Sequence, residues 1–307
     1  MQKYENLEKL KGKACVALGF FDGLHIGHMA VISQMLNLAK NEKISSVVFT
    51  FDAPPKSTLH GSSVQYLVLP EEKEKLFSKI GIDILHSVPF SLVMNLEADE
   101  FVKKILVETL NAKHIFCGFN YHFGKGGNCG VEKLKELCKP YGIVVHVISA
   151  VLCDGEPVSS TRIRELIKSG NINLANKMLG RKFSYKFPVV RGLMFGRKIL
   201  TPTINQNFPP NFVTARFGVY ASWAIIEDKA FWSVTNIGVG PTVNANAKPH
   251  SETFAPEYSD GELYDKVVEI KLCEFLRDEQ KFKTIQELKE HIILDKEKAK
   301  SILLANH

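Results

Sequence analysis

The feature that most constrains this chain is a short apolar run, Ala14 to Leu18, that breaks into Gly19-Phe20-Phe21-Asp22-Gly23-Leu24-His25-Ile26-Gly27-His28 and then leads into Met29 to Lys40. The run reads as a buried strand and residues 29–40 as a helix. Glycines 19, 23 and 27 and histidines 25 and 28 therefore fall on a strand-to-helix turn. Such a turn points backbone N–H groups and the positive end of a helix dipole at its occupant, usually a phosphate. Gly19, Gly23 and Gly27 clear side chains from the space a phosphate needs. On a helix, His25 and His28 share one face. The pair reads equally well as core residues or as hydrogen-bond donors to phosphoryl oxygens. A metal site would need a third and fourth ligand, and none stands nearby in sequence.

The pattern repeats. Strands are expected at 46–51, 84–88, 114–118 and 143–148, and helices at 70–80, 98–110, 131–141, around 159–170 and 172–179. Alternation of this kind implies right-handed crossovers and a mainly parallel sheet covered by helices, with ligands bound beyond the carboxyl ends of the strands. Segments 19–28 and 118–130 both fall at that edge. From about Phe183 the character changes to short alternating runs at 186–191, 216–225, 230–235 and 267–276, punctuated by glycine and proline. These suggest a small antiparallel barrel. A closing helix at 284–304 opens with Thr284 and Glu287, the spacing of a capping box. The expected fold is α/β: a Rossmann-like domain with a parallel sheet over residues 1–183, and a small antiparallel β-barrel domain with a terminal helix over 184–307.

A length of 307 residues fits two domains. No apolar run reaches the ~18 residues of a membrane span, and the polar N-terminus lacks the centre of a signal peptide; a cytoplasmic protein is expected. The six cysteines contain no CxxC pair and read as reduced, buried thiols, with a zinc site the weaker alternative. The net charge of +6 is spread among acidic residues without a basic block. That argues against nucleic acid and suits small polyanions such as nucleotides.

Two further segments carry chemistry. Ser159 or Ser160 can cap the helix that contains Thr161 and Arg162; by themselves these read as a plain cap and a solvated charge. Gly192-Leu193-Met194-Phe195-Gly196-Arg197-Lys198-Ile199-Leu200-Thr201-Pro202-Thr203-Ile204-Asn205 sets two glycines beside basic residues, which can cradle phosphates, and Thr203 and Asn205 offer hard oxygen ligands suited to Mg²⁺. Alone it also reads as a barrel turn. Glu252, near His250, reads as a surface carboxylate.

HxGH after a strand is the signature of the adenylyl- and cytidylyltransferase superfamily, and the longer stretch 19–28 resembles the bacterial bifunctional riboflavin kinase/FAD synthetase family. Ser159-Ser160-Thr161-Arg162-Ile163-Arg164 is similar to that family's SSTxIR motif, and Cys117-Gly118-Phe119-Asn120-Tyr121-His122-Phe123-Gly124 to its middle motif. Residues 196–205 resemble its GR-x-x-x-x-PTxN kinase core. Gly218-Val219-Tyr220-Ala221, Asn236-Ile237-Gly238-Val239-Gly240-Pro241-Thr242, Ser251-Glu252-Thr253 and Leu276-Arg277 with Lys281-Phe282 follow in the family's order. Two departures stand out: in Phe51-Asp52-Ala53-Pro54-Pro55 a proline, Pro54, stands where the family has histidine after its second strand, and Leu200 stands where it has glycine.

The resemblance implies two activities, phosphorylation of riboflavin to FMN by ATP and adenylylation of FMN to FAD with release of pyrophosphate. ATP, riboflavin and FMN would be substrates, Mg²⁺ the metal, and the protein a monomer or weak homo-oligomer. His25, His28 and Arg162 would stabilise AMP transfer. Gly19, Phe20, Asp22, Gly23, Gly27, Asn120, Ser159, Ser160 and Thr161 would hold ATP there. Gly192, Gly196 and Arg197 would hold the kinase's phosphates, Thr203 and Asn205 its Mg²⁺, and Glu252 would act as the base on the ribityl hydroxyl. The alternatives are an enzyme that keeps only one activity and a flavin-binding regulatory protein.

Overall fold

Every residue of the strand β2 (Ala14–Leu18) is buried, and its side chains alternate between two cores. A computed structural model of the chain describes residues 1–55, 64–191, 203–239 and 248–305. It divides into two units, Met1–Ser160 and Thr161–His307.

In the first unit six parallel strands lie in the order β1-β4-β3-β2-β5-β6. They are β1 (Gln2–Tyr4), β2, β3 (Ser45–Phe51), β4 (Ile84–Val88), β5 (Ala112–Gly118) and β6 (Val144–Ile148). On one face Ala14, Val16 and Leu18 meet Phe101, Val102, Ile105 and Leu134. On the other Cys15 and Ala17 meet Ile32, Met35 and Phe77. The helices that cover these faces are α1 (Ile26–Glu42), α2 (Pro70–Ile80), α3 (Ala98–Glu100, running on as a π-helix over Phe101–Thr109) and α4 (Val131–Cys138). Helix α2 carries Pro70 in its first turn and stops at Gly81, with φ 86°, as the sequence pattern implies. Strand order reverses beside β2: the chain runs outward through β3 and β4, then returns to place β5 on β2's other side. A crevice at the carboxyl ends of β2 and β5 is the position where such sheets bind ligands. A short hairpin, β7 (Leu152–Cys153) with β8 (Glu156–Pro157), follows β6.

At the junction of the units lies α5 (Ser160–Ser169), followed in the second by α6 (Ile172–Leu179) and six antiparallel strands in the order β10-β13-β12-β11-β14-β9. They are β9 (Phe183–Pro188), β10 (Ile204–Asn207), β11 (Gly218–Ile226), β12 (Lys229–Val239), β13 (Pro249–Phe254) and β14 (Val267–Arg277). The edge strands β9 and β10 meet where Val190 N–H donates to Asn205 O at 2.8 Å, so the sheet nearly closes into a barrel. Strand β9 starts three residues before the expected 186, because Phe183, Tyr185 and Phe187 are its inward-facing set. The barrel interior is partly polar: Ser222, Ser233, Thr235 and Thr253 are fully buried and linked hydroxyl to hydroxyl at 2.7–2.8 Å. The C-terminal helix α7 (Ile285–Leu304) lays Ala299 and Leu303 against Val219, Trp232 and Cys273 on the barrel's outer face. Thr284 caps it by accepting from Glu287 N–H, while the Glu287 carboxylate accepts from Lys283 N–H, one residue earlier than a strict capping box. All six cysteines are free thiols.

Candidate active sites

The turn after β2 is a strained, fully specified piece of backbone. Phe21 and Leu24 take positive φ values of 55° and 42° without being glycine, and Gly23 sits between them at 80°. Such steps persist only when surroundings enforce them. Here three anchors do so. The Phe20 carbonyl accepts from Thr50 Oγ1 at 3.1 Å and from Lys73 Nζ at 3.2 Å. The buried Asp22 carboxylate accepts from Leu67 N–H at 3.1 Å. The Asp22 carbonyl accepts from Ser160 Oγ at 2.9 Å.

The histidines are arranged differently from two residues of one helical face. His25 is the N-cap of α1: its backbone is extended (φ −72°, ψ 171°) and its Nδ1 accepts from His28 N–H at 3.2 Å. The rings stack with centroids 3.5 Å apart. Histidine is not among the usual capping residues, so α1 starts at Ile26 rather than at the expected 29. The glycines do local packing work: a Cβ on Gly19 would meet the Phe21 ring at 2.9 Å, and one on Gly27 would meet His25 Cε1 and Nδ1 at 3.2 Å.

Asn120 is exposed just past the end of β5, which lies next to β2. Its Oδ1 packs where a side chain on Gly118 would stand, and its carbonyl faces His122 Nδ1 at 2.9 Å. Ser159 precedes α5 and Ser160 opens it; Thr161 and Arg162 occupy its first turn. Thus Gly19 to His28, Asn120 and Ser160 all belong to the carboxyl edge of the parallel sheet or are tied to the turn there.

In the barrel, cross-strand register brings Asn205 of β10, Glu252 of β13 and Asn236 of β12 into one row. Asn205 Nδ2 donates to Thr203 O and Oγ1, both at 3.1 Å, which leaves the amide oxygen of Asn205 as the atom open to a cation. Glu252 is half-exposed and lies 3.6 Å from His250 Nε2. This close carboxylate raises the His250 pKa above the usual 6.5, against the opposing effect of burial. Gly192, Gly196, Arg197 and Leu200 lie outside the described residues, as do Pro241 and Thr242.

Sequence reasoning did not single out Asn236, Thr50 or Lys73 as site residues. Asn236 was visible within its motif and only register reveals that it stands beside Glu252. Thr50 and Lys73 had no local signal.

Comparison with known proteins matches these two sites to two profiles. The FAD synthetase family matches residues 7–162, and the riboflavin kinase family residues 179–303. A bifunctional riboflavin kinase/FMN adenylyltransferase from Buchnera aphidicola subsp. Schizaphis graminum is 32% identical over 94% of each chain. The chain belongs to the bifunctional riboflavin kinase/FMN adenylyltransferase family. A member from Listeria monocytogenes is 32% identical over 89% of this chain and 87% of its own. A solved structure described as a macrolide-efflux protein from Streptococcus pneumoniae superposes with a TM-score of 0.88 at 27% identity, covering 96% of this chain and 97% of that one. Among the described residues no helix is long and apolar enough to cross a membrane.

The strained turn lies within the match to FAD synthetase, and the Asn205–Glu252–Asn236 row within the match to riboflavin kinase.

Proposed function

We infer that the chain makes FMN from riboflavin and ATP in its barrel, and FAD from FMN and a second ATP at the turn after β2. The single observation that carries this is the order and coverage of the two family matches, FAD synthetase over 7–162 and riboflavin kinase over 179–303. The corresponding functional halves are residues 1–183 and 184–307, working in the cytoplasm as a monomer or weak homo-oligomer.

For AMP transfer, the FMN phosphate attacks the α-phosphorus of ATP and pyrophosphate leaves. No covalent intermediate on the enzyme is required. His25 and His28 donate to the α-phosphoryl oxygens as charge grows on them, in a position fixed by the cap and by the ring stack, so no reorganisation is needed during the step. Arg162 neutralises the triphosphate, and Ser159, Ser160 and Thr161 add donors at the start of α5. Gly19, Phe20, Asp22, Gly23 and Gly27 shape the turn around the phosphates, and Asn120 holds the nucleotide from the neighbouring strand end.

For phosphorylation, Glu252 takes the proton of the ribityl 5′-hydroxyl as that oxygen attacks the γ-phosphorus. Thr203 Oγ1 and Asn205 Oδ1 are hard oxygens of the type Mg²⁺ prefers, on either side of Ile204, and Asn205 stands in register with Glu252. They would hold Mg²⁺, which neutralises charge on the β- and γ-phosphates when bound. Gly192, Gly196 and Arg197 contribute the phosphate loop.

The test is two incubations of the purified chain with Mg²⁺ and ATP, one with riboflavin and one with FMN. FMN should appear in the first and FAD in the second. No FMN from riboflavin would remove the kinase assignment, and no FAD from FMN would remove the synthetase assignment.

A further inference from the structure

Lysine is among the residues least often buried, yet Lys73 is only 5% exposed. It lies in α2 within Glu71-Glu72-Lys73-Glu74-Lys75, a run whose other members are partly or fully exposed. Its ammonium turns inward. It donates to the Phe20 carbonyl at 3.2 Å and stands 4.3 Å from the centre of the Phe20 ring. No carboxylate forms an ion pair with it among the described residues. Burying a cation without one is costly, and such a cost is kept where the group serves another end.

What Lys73 touches is the entry to the strained turn. Phe20 is the last residue before the left-handed steps at Phe21, Gly23 and Leu24. Its carbonyl is shared with Thr50 Oγ1, itself fully buried in β3. Two residues on, Asp22 is pinned through its carboxylate to Leu67 and through its carbonyl to Ser160. The turn is thus clamped before the left-handed steps and in their middle, and His25 follows at once as the cap of α1.

We propose that Lys73 is a positioning residue for adenylyl transfer: its ammonium, with Thr50, holds the Phe20 carbonyl and so sets the turn that presents His25 and His28 to the α-phosphate. This rests on assigning AMP transfer to that turn. The groups around Lys73 are Asp22 on the turn, Asp52 just past β3, and Glu74 on its own helix; all three favour its charged form. Burial outweighs them and lowers its pKa from 10.5 to about 8. A charge-assisted bond is stronger than its neutral counterpart, so the clamp weakens as pH rises through that value. Protonated burial also works against folding below pH 8, and the penalty fades as pH rises toward 10.5, where the unfolded chain also loses the proton.

The experiment compares wild type, Lys73→Met and Lys73→Arg by FAD formation from FMN across pH 7 to 9.5, FMN formation from riboflavin, and thermal melting. Lys73→Met should lose at least about tenfold in kcat for FAD formation, keep FMN formation, and melt no lower than wild type. A merely structural lysine would give the opposite pairing, lower melting with activity kept. Wild-type FAD formation should decline above pH 8, and Lys73→Arg, which stays charged, should move that decline to higher pH. FAD formation by Lys73→Met within twofold of wild type, or coincident alkaline limbs for Lys73→Arg and wild type, would overturn the proposal. Wild type that makes no FAD at all would instead overturn the assignment of AMP transfer to the turn.

Discussion

A Cβ at position 27 would stand 3.2 Å from two atoms of the His25 ring, tighter than ordinary contact. Gly27 lies in the first turn of α1, where alanine normally gains about 0.5–1 kcal/mol over glycine. Gly27→Ala should therefore leave the melting temperature unchanged or raised, while displaced His25 lowers FAD formation by at least about tenfold; a kinetic assay beside a melting curve checks both. In the barrel, His250 is protonated more readily than a free imidazole because the Glu252 carboxylate lies 3.6 Å from it. Its folded pKa is raised, so the stability this pair adds is complete below about pH 6.5 and lost as pH climbs through the raised value. The same loss removes a cation from beside the carboxylate proposed as the base. FMN formation should rise through this interval, and His250→Gln should flatten the rise without changing the pH profile of FAD formation. At this scale the histidines and glycines of 19–28 were legible because motif residues carry their own chemistry. Lys73 was not: a charged helical run looks solvated throughout, and only packing shows which member turns inward.

An ion pair joins helix α7 to the barrel in addition to apolar contact. Arg277 at the end of β14 meets Asp295 through Nε at 3.0 Å and Nη2 at 2.7 Å, with side-chain exposures of 21% and 10%. Phe282 lies 5.7 Å from the same guanidinium. Removing one partner of a buried pair strands the other charge, at a cost of about 3 kcal/mol. Asp295→Ala should lower the melting of the riboflavin kinase half by roughly 6–12 °C and leave FAD formation from FMN intact below that melting. Loss of both activities together at the same temperature would contradict it. Elements were legible where periodicity was strong, as in α2 and β4, whose expected and observed limits coincide. They were misplaced where the deciding group was unusual: a histidine cap moved the start of α1, and aromatic alternation moved β9. The hydroxyl chain from Ser222 to Thr253 was invisible, since serine and threonine read as surface until four of them share hydrogen bonds inside a barrel.

For the whole molecule, the change from βα alternation to short punctuated strands was legible because it is a change of period, the strongest signal a single sequence holds. The side-by-side placement of β2 and β5 was not, because strand order depends on crossovers rather than local pattern. Two sites on one chain raise the question of how FMN passes between them. FMN is a small dianion made at one site and consumed at the other, so diffusion through bulk solvent suffices. His28→Ala should lose about 10²–10³-fold in FAD formation yet accumulate FMN from riboflavin. Glu252→Gln should make nothing from riboflavin yet convert added FMN. Mixed, the two variants should regain FAD formation from riboflavin after a lag, while FMN rises toward the level the second site needs. The lag should shorten as His28→Ala is increased and vanish when FMN is supplied. A mixture in which both partial activities persist but riboflavin never yields FAD would mean that FMN must be handed over within one chain.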